Sequence, residues 1–159
     1  KLAFKIIHST TKLLPAWKAV LSTLKLREKL LPRDVKMRWN SMYDMLDVAV
    51  RYQQAVDMLT NNKSNGLRSF ELLPEEWEIA SQLHKVFKDA TTFFSWSSAP
   101  NLATVIPAID HIDSHLTMVS LDAKYKNPIH VACSLAQKTL NKYYSLTNGS
   151  IAYHIVMGL

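Results

Sequence analysis

The chain has 159 residues, 48% of them hydrophobic, with 19 Lys/Arg against 13 Asp/Glu and a net charge of +6. This length suits one domain with a core of its own, and no apolar run reaches the roughly 18 residues that a membrane span needs. A lone Cys133 excludes an internal disulfide and accords with a reducing compartment, while three glycines and scarce apolar/polar alternation argue against hairpins.

The predicted class is all-α, a helical bundle of about six helices read from apolar periodicity. Residues 1–14 are apolar and basic, with Leu2, Ile6, Ile7, Leu13 and Leu14. Pro15 suits the first turn of a second helix, whose core stripe is Trp17, Val20, Leu21 and Leu24, at i, i+3, i+4 and i+7. Lys18, Lys25 and Lys29 would line one edge of that helix, which should stop before Pro32. Asp34 is a plausible cap for a third helix from about Met37 to Thr60, burying Met42, Met45, Leu46, Ala49, Val56 and Leu59. Met37 and Met58 are expected in or near the core as well. Residues 61–66 read as a loop.

Pro74 opens the fourth helix, and the acids Glu75, Glu76 and Glu78 complement its dipole. Its apolar stripe runs Trp77, Ala80, Leu83, Phe87, Ala90 and Phe94. After a break from Ser95 to Asn101, a fifth helix should turn Val105, Ile109, Ile112 and Leu116 inward. Asn127-Pro128 marks the start of a sixth, carrying Val131, Leu135, Lys138 and Tyr143 and ending near Ser145. The segment from Ile151 to Met157 could form a strand or a helix alongside a partner domain. The domain expectation is a single helical domain over 1–159, with basic lead-in helices over 1–33 and the remaining helices over 34–159.

The charge is uneven. Residues 1–38 hold ten Lys/Arg, among them Lys18, Lys25, Lys29, Lys36 and Arg38, against Glu28 and Asp34, which leaves +8; the other 121 residues are −2. A local excess of that size is either the footprint of a polyanion or a solvated helix face. Trp39, beside Arg38, is either a core residue or a platform on which an unstacked base can lie.

Catalytic groups are scarce. His111 and His115 sit one helical turn apart beside Asp110 and Asp113, but Ile112 stands where a zinc protease places its glutamate. There is no glycine-rich phosphate loop, and no Ser or Cys is flanked by an obvious base. No catalytic and no metal-binding residue is therefore assigned, and whether the chain belongs to an enzyme is left to other signals.

Those signals lie in Arg38-Trp39-Asn40-Ser41, Leu73-Pro74-Glu75-Glu76-Trp77, Lys88-Asp89-Ala90-Thr91, the segment from Pro100 to Pro107, Asp110-His111-Ile112 and Lys138-Thr139-Leu140-Asn141-Lys142-Tyr143-Tyr144. In order and spacing they resemble the hAT transposases (hobo/Activator/Tam3 type), of the kind abundant in fungal genomes. The resemblance implies a fragment covering the helical insertion of an RNase H-like catalytic domain. It implies that the acidic triad, with its Mg²⁺ or Mn²⁺, lies outside this chain, which needs no cofactor of its own. It further implies DNA as partner (transposon ends and flanking DNA), homo-oligomerisation through regions outside the chain, and a nuclear location. Arg38 and Trp39 match the family's Arg-Trp pair, whose tryptophan stabilises a base flipped out as flanking DNA forms a hairpin. Met37 and Met42 depart from the threonines many members carry. The competing reading is a helical protein-interaction scaffold or a domesticated or decayed transposon relic.

Overall fold

The computed structural model describes residues 1–32, 41–95 and 105–149, with side-chain surroundings at all of these except 89–95, 105, 106, 147 and 148. Among the described residues there are seven α-helices and no strand: α1 (Leu2–His8), α2 (Leu13–Thr23), α3 (Ser41–Arg51), α4 (Gln53–Asn61), α5 (Pro74–Ser95), α6 (Val105–Leu121) and α7 (Asn127–Asn148). Two 3₁₀ turns, Lys63–Asn65 and Arg68–Phe70, lie between α4 and α5. The helices group into two compact units, Lys1–His84 and Lys85–Leu159, and the division falls inside α5. No helix among the described residues is long and apolar enough to cross a membrane.

Three helix boundaries differ from those the periodicity predicts. The first helix stops at His8, not near residue 14, and Leu13 and Leu14 open α2 instead. The Ser9 hydroxyl accepts from the Leu13 N–H at 3.2 Å, so the short connection satisfies one donor of the α2 N-terminus. α2 in turn ends at Thr23, well before Pro32. The Lys25 N–H donates to the Ser22 carbonyl (3.1 Å) and the Leu26 N–H to the Leu21 carbonyl (2.9 Å). That pair of bonds is a Schellman motif with Lys25 at the left-handed position, φ 54°. Leu21 is buried and Leu26 packs against the same core, supplying the apolar contact that accompanies the motif.

The single helix expected to end at Thr60 is two, α3 and α4, divided at Tyr52 (φ −106°, ψ 21°). The Tyr52 N–H donates to the Val48 carbonyl and the Tyr52 carbonyl accepts from the Val56 N–H, so the break is a local distortion. A tertiary contact accompanies it: the buried Tyr52 sends its hydroxyl to the Arg27 carbonyl at 3.0 Å. The buried face moves with it. Val48, Tyr52, Ala55, Val56 and Leu59 are buried, whereas Met45, Leu46 and Ala49 are half-buried and Met42 and Met58 are exposed.

In the first unit, Ala3 and Ile6 of α1, Trp17 and Leu21 of α2, Leu31, the α3–α4 face, Leu67 and Trp77 form one core. The expected lead-in residues therefore share their core with residues 48–77. Trp17 is wholly buried, and its ring lies 6.4 Å from that of Tyr52. The α5 start is built as its sequence implies, with Pro74 first and the Glu76 carboxylate accepting from the Leu73 N–H at 2.8 Å, one half of a capping box. Trp77 Nε1 donates to Asp57 of α4 at 2.9 Å. His84 stacks on Tyr43 (5.3 Å, 9°) and reaches Asp47 at 3.1 Å, tying α5 to α3. Asn61 still closes α4, and residues 62–66 are the expected loop, wound into a 3₁₀ turn, with Gly66 at φ 64° where a side chain would be strained.

In the second unit α6 and α7 pack as a hairpin around Ala108, Ile109, Leu116, Val119, Ile129 and Cys133. Gln137 Nε2 of α7 donates to the Thr117 hydroxyl of α6 at 2.8 Å and holds their flanks together. Asp122 turns the connection by accepting from the Lys124 N–H. Ile109 and Leu116 face inward as expected, and Ile112 is half-buried. Val131, Leu135 and Tyr143 are each more than half exposed, and Ile129 and Cys133 take the inner face of α7. The Asp34 cap, Met37, the 95–101 break beyond Ser95 and the segment from Ile151 to Met157 lie outside the described residues, as do the side chains of Ala90, Phe94 and Val105.

Candidate nucleic-acid interface

Of the six residues expected to contact DNA, three lie outside the described residues: Lys36, Arg38 and Trp39. The other three are all exposed, but they do not share a helix edge. Lys18 stands on α2, Lys25 occupies the C-terminal turn, and Lys29 lies on the connection that follows. The seven-and-four spacing would align them only if α2 continued past residue 29, and the Schellman turn at Lys25 redirects the chain before that.

The connection 26–32 carries the rest of the local charge. It has no helix, turn or bend. Trp17 Nε1 donates to the Lys29 carbonyl at 2.9 Å, and the Tyr52 hydroxyl donates to the Arg27 carbonyl. Two buried aromatic residues thereby place their only polar atoms on a basic segment, satisfying themselves and fixing its path. Lys18 pairs with Glu28 at 2.6 Å, with both side chains at least half exposed. A pair so open to water adds at most about 1 kcal/mol, but it neutralises the one acid within 25–30. Arg27, exposed between Lys25 and Lys29, was not among the expected contacts. Its signal was the alternation Lys25-x-Arg27-x-Lys29, which an assumption of helix conceals.

A groove of about 940 Å³ also opens in the first unit, lined by Leu2, Leu31, Leu46, Val56, Phe70 and Trp77 with Lys5 and Glu76. The Lys5 ammonium sits 4.9 Å from the centre of the Phe70 ring. In the second unit burial raises the Cys133 thiol above its ordinary value of 9.0, which suppresses the nucleophilic thiolate. His111 is exposed on α6 and His115 half-buried. Among the described residues, no three His, Cys, Asp or Glu side chains converge so as to hold a metal ion. A divalent cation therefore finds no ligand set among these residues.

Against known families, the model described as the ZBED1 RNase-like helical domain matches residues 3–86. The match spans more than half of the chain and nearly coincides with the first compact unit. No curated protein and no solved structure matches the chain significantly.

Proposed function

This chain belongs to the ZBED1 RNase-like helical domain family, a helical part of hAT-like transposase-derived proteins, and on that premise we propose that it is the DNA-binding helical portion of a cut-and-paste transposase. The observation that carries the reading is the ten-to-two excess of bases over acids in residues 1–38. Phosphates of transposon ends and flanking DNA are the matching polyanion. Trp39 would stack on a base flipped from the duplex as the flank forms a hairpin, offsetting part of the extrusion cost at about 1–3 kcal/mol per stacked base. Arg38 and Lys36 would hold the adjacent phosphates. Cleavage itself, its Mg²⁺ or Mn²⁺, self-association and nuclear location belong to the larger protein that this reading requires.

The test is fluorescence anisotropy of the chain with labelled DNA over a salt series. Weak binding without sequence preference is expected, with log K falling linearly against log salt. Lys18→Glu, Lys25→Glu and Lys29→Glu together should reduce both affinity and slope. Unchanged binding in that variant would remove these residues from the interface. Trp39→Ala should suppress hairpin formation in the full transposase while first-strand nicking survives.

One observation favours a second reading, a protein-interaction scaffold: the apolar groove of the first unit is open to solvent. Absence of any salt-dependent DNA binding would select it.

A further inference from the structure

We infer that residues 25–29 form a preformed strap whose exposed cations Lys25, Arg27 and Lys29 each take one of three successive phosphates along a single nucleic-acid strand. The inference deepens the DNA-binding reading and rests on it.

The path of the chain supplies the spacing. Beyond the left-handed Lys25, residues 26–32 run without helix, turn or bend. A segment of this kind advances at most about 3.3 Å per residue, so alternate residues recur at up to about 6.6 Å. That interval is comparable to the distance between neighbouring phosphates on one strand. A helix would instead set Lys25 and Lys29 about 6 Å apart along its axis and turn Arg27 to another side.

Fixation comes from the core. The Schellman bond from the Leu26 N–H to Leu21 sets the start, and buried Leu31 sets the end. Between them, the carbonyls of Arg27 and Lys29, two residues apart, accept from the Tyr52 hydroxyl (3.0 Å) and Trp17 Nε1 (2.9 Å). Two anchored carbonyls at that interval fix the path of the segment between them. Because the backbone is already ordered, binding a strand needs little further loss of chain entropy. The field is kept positive by Lys18, which engages Glu28, the acid between the cations. Among the described residues no acid forms an ion pair with Lys25, Arg27 or Lys29. Such contacts fix register on the backbone and carry no sequence information.

The experiment measures the salt slope of single-stranded and duplex DNA binding for the 159-residue chain and three variants, each checked for helix content and melting temperature. The triple variant Lys25→Gln, Arg27→Gln, Lys29→Gln should lose about 2 to 3 units of slope, because each phosphate contact contributes about 0.7 on single strands and 0.9 on duplex. The control Lys85→Gln, Lys138→Gln, Lys142→Gln removes the same charge from exposed positions of the second unit and should keep the parental slope. The double variant Trp17→Phe, Tyr52→Phe leaves every charge and an aromatic ring at each position but removes the two donors, and should weaken binding several-fold. Equal slope loss in the strap and control triples would overturn the strap while leaving general DNA binding intact. Parental affinity in the double variant would overturn its preformed geometry. No binding by the parental chain at all would overturn the DNA reading itself, and the strap with it.

Discussion

The two units spend their apolar residues differently. The first gathers residues far apart in the chain, from Ala3 to Trp77, around two aromatic rings, and every large ring in that core hydrogen bonds through its polar atom to something structural. The second is a hairpin of neighbours in sequence, and it leaves Val131, Leu135, Tyr143 and Leu146 of α7 and Met118 and Leu121 of α6 exposed. Burial in the first unit comes with instructions for the chain, because Trp17 and Tyr52 dictate where residues 27 and 29 lie. In the second, burial holds two helices together and dictates little else. The family match falls on the first.

The sharpest way to break this contrast is Trp17→Ala. Removing a wholly buried indole together with its bond to Lys29 should cost about 3–5 kcal/mol, read from the denaturant midpoint. A loss under about 1 kcal/mol, the range of surface changes, would mean that the first unit does not depend on its aromatic centre. Lys25→Gly should act in the opposite direction. Glycine adopts the left-handed region freely, so stability should rise by about 1 kcal/mol. In the same variant DNA affinity should fall with the lost cation, which separates the residue's backbone role from its charge.

Cys133 probes the inner face of the second unit. Its thiol is raised by burial, so the folded state holds the proton more tightly than the unfolded chain. The contribution to stability is therefore constant below the ordinary value of 9.0 and declines as pH rises from there toward the raised folded value. The difference in melting temperature between the parental chain and Cys133→Ala should stay flat up to pH about 8 and shrink at higher pH. Alkylation by a thiol reagent should be slow until the protein is unfolded. The smallest effect is expected at Leu135, more than half exposed on α7. Leu135→Ala should change stability by no more than about 0.5 kcal/mol, and a loss of several kcal/mol would show that this face is covered in solution.

Much of this was legible in local chemistry. Pro74 with Glu75 and Glu76 marked the α5 start, Asn127-Pro128 marked α7, and the Trp17–Leu21 stripe named the core of α2, because each depends on residues within one or two turns. The basic excess before residue 39 was equally plain, since charge counting needs no fold. The helix-edge alignment of Lys18, Lys25 and Lys29 was not a property of the sequence. A lysine at the left-handed position gives no warning that a helix ends there, because glycine is the usual signal. Likewise nothing local to Val48-Ala49-Val50-Arg51-Tyr52 demands a break. It coincides with a hydroxyl meeting a carbonyl 25 residues earlier. The sequence by itself determined the helical class and the sign and place of the charge, since periodicity and ionisation are local. Tertiary structure alone decided the path of the basic segment that carries Arg27 and Lys29, because that depends on which backbone carbonyls the buried rings of Trp17 and Tyr52 can reach.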